Sequence, residues 1–183
     1  QLDQLSVIPE LAVDRVLIAP TAADARGAEL SLIVEGFKYT RWVALAWSQA
    51  VDEFGHASTP RSWDQSWAMT AGVDWMKGHW RFGAIASAHR GWPGTRIEDG
   101  VLGERNDIRL PAYAVLDLRA EYRRPLAVGS LSVAFEVTNA FARDNVCCSE
   151  LRAADDGAGN LTFTTKPRSW LPLVPAVTVL WKF

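Results

Sequence analysis

Across its 183 residues the chain has no apolar run of about 18, so it holds no transmembrane helix. Cysteine is nearly absent. The two present, Cys147 and Cys148, are adjacent, which excludes a disulfide framework spanning the chain. Neither sign of charge dominates: 19 Lys and Arg stand against 21 Asp and Glu, a net charge of -2 that offers no extended basic face for nucleic acid. His56, His79 and His89 lie far apart with no Cys or His at ligand spacing, so no metal site is expected. No G-x-S-x-G, P-loop or Rossmann pattern occurs, and neither an enzyme nor a cofactor is expected. The opening QLDQLSVIPE carries neither the basic nor the apolar segment of a signal peptide.

What the chain does have is tryptophan, nine in all, and alternation. Trp67, Met69, Ala71, Val73 and Trp75 fall on one face, with Ala68, Thr70, Gly72 and Asp74 on the other. Leu116, Leu118, Ala120 and Tyr122 oppose Asp117, Arg119, Glu121 and Arg123; Leu131, Val133, Phe135 and Val137 oppose Ser132, Ala134, Glu136 and Thr138. A period of two reads as half-buried strand. Seven strands are expected near 27–35, 41–52, 67–76, 80–90, 113–123, 130–139 and 174–183, each roughly the 9–11 residues that a tilted strand needs to cross a bilayer. Ile33 and Ile85 interrupt the polar face and Gln49 the apolar one.

The connections alternate in length. Those at 36–40, 77–79 and 124–129 are short, whereas 52–66, 91–112 and 140–173 are long, polar and rich in Gly, Pro and Asp. Short turns at one end and large loops at the other are the asymmetry of outer-membrane barrels. A Greek-key sandwich mixes its connections instead. Aromatics gather near strand ends at Trp42, Trp67, Trp75, Trp80, Tyr113, Tyr122, Trp170 and Trp181, which fits two interfacial girdles; a packed aromatic core is the alternative. The polar face carries Glu29, Asp74, Arg81, His89, Asp117, Arg119, Glu121, Arg123 and Glu136. These are expected to line a lumen, or the solvent side if the protein is soluble.

The last strand sets Val177, Val179, Trp181 and Phe183 on one face and stops on the aromatic. In this it resembles outer-membrane barrels as a group, and the resemblance implies recognition by the barrel-assembly machinery. With Phe183 periplasmic, the three long loops are extracellular. Residues 1–26 are expected to be an outer loop and strand start, and 27–183 the strands. Seven is odd, whereas single-chain bacterial barrels have an even number. The expectation is therefore a C-terminal piece of a longer parent, because unpaired edges in lipid are not tolerated.

Several segments, in order, resemble the C-terminal half of TonB-dependent receptors: RVLIAPTAADARGAELSL with its R-G-x-E-L core, WVALAWSQAVDE followed by PRSWDQSW, GWPGT, LPAYAVLDLRAEYRR, SVAFEVTNAFARDNVCC and the closing WKF. The resemblance implies an all-β, antiparallel up-and-down transmembrane barrel of about 22 strands, of which this chain supplies about seven. It implies the bacterial outer membrane, uptake of ferric siderophores or similar large nutrients, and energy supplied by a TonB complex. The N-terminal plug and the box that contacts that complex are not in this sequence. Its partners would be membrane lipid, the plug and remaining strands of the parent, and the TonB complex acting through that plug. A passive porin-like or structural barrel and a soluble β-sandwich binding module are the alternatives.

Loop residues Trp63, Asp64, Trp92, Arg96 and Arg105 are candidate ligand contacts, loop packing being the plainer role for each. Asp117 and Glu121 share a face but have Arg119 between them, so a charge ladder is expected rather than paired catalytic carboxylates. Cys147 and Cys148 would form a vicinal disulfide in an oxidising compartment or remain two thiols.

Overall fold

The computed structural model describes residues 6–7, 17–18, 20–98, 101–155 and 161–183. Among these every regular element is a β-strand. Seven long strands form the sheet: β1 (Ala22–Gly36), β2 (Tyr39–Phe54), β3 (Trp67–Lys77), β4 (Trp80–His89), β5 (Tyr113–Pro125), β6 (Ser130–Thr138) and β7 (Val174–Lys182). Their spatial order is their chain order, with no crossover, and every neighbouring pair is antiparallel. The described strands make an open sheet with β1 and β7 at its edges, not a closed barrel.

Alternation produces this sheet because side chains on a strand point to opposite faces, and register carries each face across its neighbours. Leu45 lies opposite Leu30 and Met69; Val73 lies opposite Arg41 and Ala84; Leu118 lies opposite Ala84 and Val137; Phe135 lies opposite Ala120 and Val177. One face is thereby apolar throughout its middle. Gly78, at φ 61°, makes the tight turn between β3 and β4, a left-handed conformation with little cost only for glycine.

The turns are staggered. Tyr39, the first residue of β2, pairs with Trp75, so the β3–β4 turn lies two residues further along than the β1–β2 turn. Trp80 pairs with Tyr122, so β5 runs three residues further again, to Pro125. An offset of this kind accompanies strand tilt.

The structure departs most from the expectation in four places. β1 begins at Ala22 rather than Gly27, so part of the expected outer loop is strand. β2 runs on to Phe54, and Ala57–Pro60 folds back onto it. Beyond the apolar stretch this ribbon is held by ladder bonds and by Arg26, whose guanidinium donates to Gln49 Oε1 at 2.7 and 3.0 Å; that contact explains the polar residue on the apolar face. The segment 140–173 is not only loop: Val146–Asp155 and Leu161–Ser169 form a hairpin. Within 91–112, two-residue ladders join Pro93–Gly94 to Ile108–Arg109 and Ile97–Glu98 to Val101–Leu102. Composition marked these stretches as polar, and backbone pairing needs no apolar face.

The burial is inverted relative to a water-soluble sheet. Among the described residues the sole buried hydrophobe is Ala134, at 2 % exposure, while Leu30 is 67 % and Val179 65 % exposed. The most deeply buried side chains are instead Asp52, Asn139 and Asn145, all at the loop end.

Candidate functional site

The eight charged residues expected to line a lumen share one face. Across β1 to β6 the register aligns Glu29 with Ala46, Asp74 with Gly83, Arg81 with Glu121, Arg119 with Glu136 and Arg123 with Ser132, and places Asp117 opposite Ile85 on the same side. Six of them form a ladder of ion pairs, three arginines against three carboxylates. Arg81 Nε donates to Asp74 Oδ2 at 2.7 Å. Arg119 bridges Glu136 and Glu121, the latter at 3.1 Å, and Arg123 donates to the other oxygen of Glu121 at 3.1 Å. Glu121 is buried beneath these two guanidinium groups. Asp117 leaves the ladder and accepts the Asn139 backbone N–H at 2.9 Å. Glu121 and Glu136 each have a guanidinium partner, which makes these charge-assisted hydrogen bonds.

Two residues expected in the aromatic girdles lie on this polar face instead. Trp42 lies opposite Ile33 and Gly72, and its indole occupies the space a side chain at position 72 would need, 2.5 Å from an added Cβ. Trp42, Ile33 and Ile85 thus make one apolar island that accounts for both interruptions of the polar face. Tyr113 stacks on His89, with ring centroids 4.7 Å apart, and Trp92 approaches the same imidazole at 5.1 Å. An aromatic cluster therefore sits on the polar face at its loop end.

Trp67, Trp75, Trp80, Tyr122 and Trp181 hold the apolar face, whereas Trp170 lies outside the sheet, between Ser169 and Val174. Trp75, Phe82, Trp80 and Tyr122 run as a continuous row across β3, β4 and β5, with successive centroids 5.7, 5.8 and 5.0 Å apart. Trp47 pairs with Trp67 at the opposite end. Val177, Val179 and Trp181 face the same way, opposite Phe135, Val133 and Leu131, and Phe183 meets Trp181 edge-on at 5.8 Å.

The loops rest on a second polar construction. Asp64, buried, accepts from the Ala50 N–H at 2.9 Å, from Ser66 Oγ at 3.1 Å and from Arg109, whose guanidinium also donates to the Asp64 and Gly91 carbonyls. Burial pushes the Asp64 carboxyl upward, but the hydrogen bonds from Arg109, Ala50 and Ser66 outweigh it and hold the group below its ordinary value. Asp52 takes Arg61 at 2.8 Å and Arg105 at 3.6 Å, and Arg105 lies 5.1 Å over the Phe54 ring. Asn106 donates to the Pro60 carbonyl at 2.6 Å. These contacts join 52–66 to 91–112.

The third loop has its own clasp. Asn145 donates to the Ala114 carbonyl and accepts the Ala114 N–H, both at 2.9 Å, imitating a ladder pair. Asn139 donates to the Arg143 carbonyl at 2.9 Å and to the Leu171 carbonyl at 3.3 Å, and Arg143 reaches the Ala112 carbonyl at 3.0 Å. The N-x-F-x-R-x-N segment after β6 is therefore a device that ties the longest loop to β5 and to the approach of β7.

Of the five candidate ligand residues, Asp64 and Arg105 belong to this foot network. Trp92 belongs to the His89 cluster, while Trp63 and Arg96 are exposed. Sequence reading missed Arg109, Asn106 and Asp52, and their residue types alone carry no signal that sets them apart from other polar loop residues. Cys147 and Cys148 are separate thiols rather than a disulfide. A bulge between Val146 and Cys148 leaves Cys147 out of the ladder register, and its sulfur donates to the Arg168 carbonyl at 3.4 Å. No protein-family model, curated protein or solved structure matches this chain.

Proposed function

We propose that the chain is the C-terminal part of the barrel wall of a TonB-dependent receptor in a bacterial outer membrane. The observation that carries the membrane reading is the apolar face. It is continuous, exposed and bounded by aromatic rows that follow the stagger of the turns. Exposed to water, such a face is unfavourable by about 25 cal/mol per Å² relative to burial. Facing acyl chains, it needs no second sheet.

The dimensions agree. Trp67 and Trp75 are eight residues apart on β3, about 26 Å along a strand. At a tilt of roughly 40° this spans about 20 Å of membrane, near the apolar band of about 25 Å found in such barrels. Backbone groups within the sheet are paired along every ladder, as lipid requires. The open edges at β1 and β7 call for further strands from the parent protein.

The transport reading rests on the ordered motifs and on what the structure makes of them. The P-R-x-W-D-Q and N-x-F-x-R-x-N segments build the feet of the long loops, and the compensated ladder lines the inner face, where a plug would dock. The cargo would be a ferric siderophore or a comparably large nutrient. The test is assembly of the full-length protein. Ala71→Arg, midway between Trp67 and Trp75 on the apolar face, is expected to lose about 2–4 kcal/mol of stability in the membrane. Thr70→Arg, on the polar face beside Ala44 and Ser87, is expected to assemble normally. Equal effects on heat-modifiable outer-membrane protein would overturn the face assignment. A cooperatively folded, detergent-free monomer would overturn the membrane reading, and a full-length gene lacking a plug would leave only a passive barrel.

A further inference from the structure

The turn end of the apolar face differs in charge from the rest of the molecule. Among the described residues, the ionisable side chains that the register puts on this face towards the turns are Arg41, Lys77 and Arg124, with no Asp or Glu. All three are exposed. Arg41 and Lys77 each stand over an aromatic ring of this face. Arg41 lies 4.6 Å from the Tyr39 centroid, the Lys77 ammonium lies 5.8 Å from that of Trp75, and Arg124 is two residues beyond Tyr122 on β5. The carboxylates nearest in register, Glu35, Asp74 and Glu121, are on the opposite face, and the last two are engaged by Arg81, Arg119 and Arg123.

Two depressions adjoin here. One, of about 590 Å³, is apolar and lies over the small residues Ala84 and Ala120, between Val73 and Phe135. The other, of about 460 Å³, is at the turn end and includes Lys77, His79, Trp80 and Tyr122. They share Trp75 and Phe82 as a common wall. An apolar trough therefore opens onto a cationic, aromatic-lined end, the layout of a molecule with a hydrocarbon tail and an anionic head.

We propose that this site docks an anionic glycerophospholipid. An acyl chain lies over Ala84 and Ala120, and the phosphate is held at the interface by Lys77, with Arg124 as the second cation. The aromatic rings set the depth, since indole and phenol groups settle at the headgroup level. The long basic side chains extend along apolar surface to keep their charges there. Cations at this level discriminate against zwitterionic lipid because the attraction is electrostatic. The inference rests on the proposed membrane reading.

The test uses the full-length protein folded in a non-ionic detergent, with heat-modifiable mobility verifying the fold. Phosphatidylglycerol and phosphatidylcholine of identical acyl chains are added separately, and retained lipid is counted by native mass spectrometry. Wild type is expected to retain the anionic lipid at least about fivefold better, the ratio one interfacial cation commonly gives. Lys77→Gln with Arg124→Gln is expected to bring the two lipids within twofold of each other. Ala84→Phe, which fills the trough, is expected to reduce retention of both while leaving their ratio unchanged. Folded protein without a preference, or variants that leave retention unchanged, would overturn the lipid site and spare the barrel. A wild type that never folds in detergent would overturn the membrane reading and the lipid site together.

Discussion

The middle of the sheet and the feet of its long loops solve opposite problems with the same backbone. In the middle, apolar side chains such as Leu30, Val177 and Val179 are exposed, and the charged ladder occupies the more sheltered face. At the feet, Asp52, Asp64, Asn106, Asn139 and Asn145 are buried and their hydrogen bonds run mostly to backbone groups or guanidinium ions. On the proposed reading the middle faces acyl chains, which require no specific partner for its apolar groups, so its constraints are polarity and width. A loop base that must hold irregular backbone away from water has to satisfy each polar group individually, because an unsatisfied buried donor or acceptor costs about 1–3 kcal/mol. The middle should therefore tolerate apolar exchanges and reject charge, whereas the feet should reject even isosteric loss of a hydrogen bond.

That contrast can be broken at graded sites. The largest effect at the feet is expected from Asn145→Ala, which leaves the Ala114 N–H and C=O without their partners. A loss of about 2–3 kcal/mol should appear as faster protease cleavage within 140–173, with detergent-resistant folding of the sheet unchanged. Loss of the whole sheet would mean the clasp nucleates the fold.

Asp64→Asn is expected to cost roughly 2 kcal/mol, since it removes the charge facing Arg109 but keeps the shape. Its signature is in pH dependence. The Asp64 carboxyl titrates below its ordinary value in the folded protein, so its contribution is present above the ordinary carboxylate range of about 4. It is lost as pH falls through the lower folded value. Protection against amide exchange at the loop feet of the wild type should fall on acidification below about pH 4, and the Asn variant should show a smaller fall. Equal acid sensitivity in the two would remove Asp64 from the cause.

The smallest effect is expected at Arg26→Ala. Its bonds to Gln49 are exposed, and exposed polar pairs contribute about 0.2–1 kcal/mol. The expected result is slight fraying of the β1–β2 ribbon above the apolar stretch, visible as faster amide exchange at 22–26 alone.

Much of the architecture was legible. Alternation in Trp67–Trp75 and Leu131–Val137 placed β3 and β6 within a residue or two of their observed ends, because a two-residue period has one geometric interpretation once a face is apolar. The connections at 77–79 and 124–129 were equally plain. The hairpin within 140–173 was not, since the Val146–Asp155 stretch carries no sustained apolar face and its pairing is a backbone matter. Trp42 was read as a girdle residue because composition cannot tell which side of a strand an indole takes. Its place on the polar face follows from counting register against Gly72. Of the candidate site, the ladder residues were assigned to one face by parity within each strand. Which arginine meets which carboxylate depended on neighbouring strands. Asp64 and Arg105 looked like ligand residues because a charged loop residue and a buried structural anchor have the same one-letter signature.

What the sequence alone determined is the two-faced meander: strand period, the seven long strands of the sheet, alternating connection lengths and an aromatic boundary, all properties of consecutive residues. What only the tertiary structure decided is which residues meet across strands and loops. Arg109 reaches Asp64 over a separation of 45 residues, and Asn145 pairs with Ala114 over 31. Such contacts arise from hydrogen-bond geometry between distant segments, which local patterning does not encode.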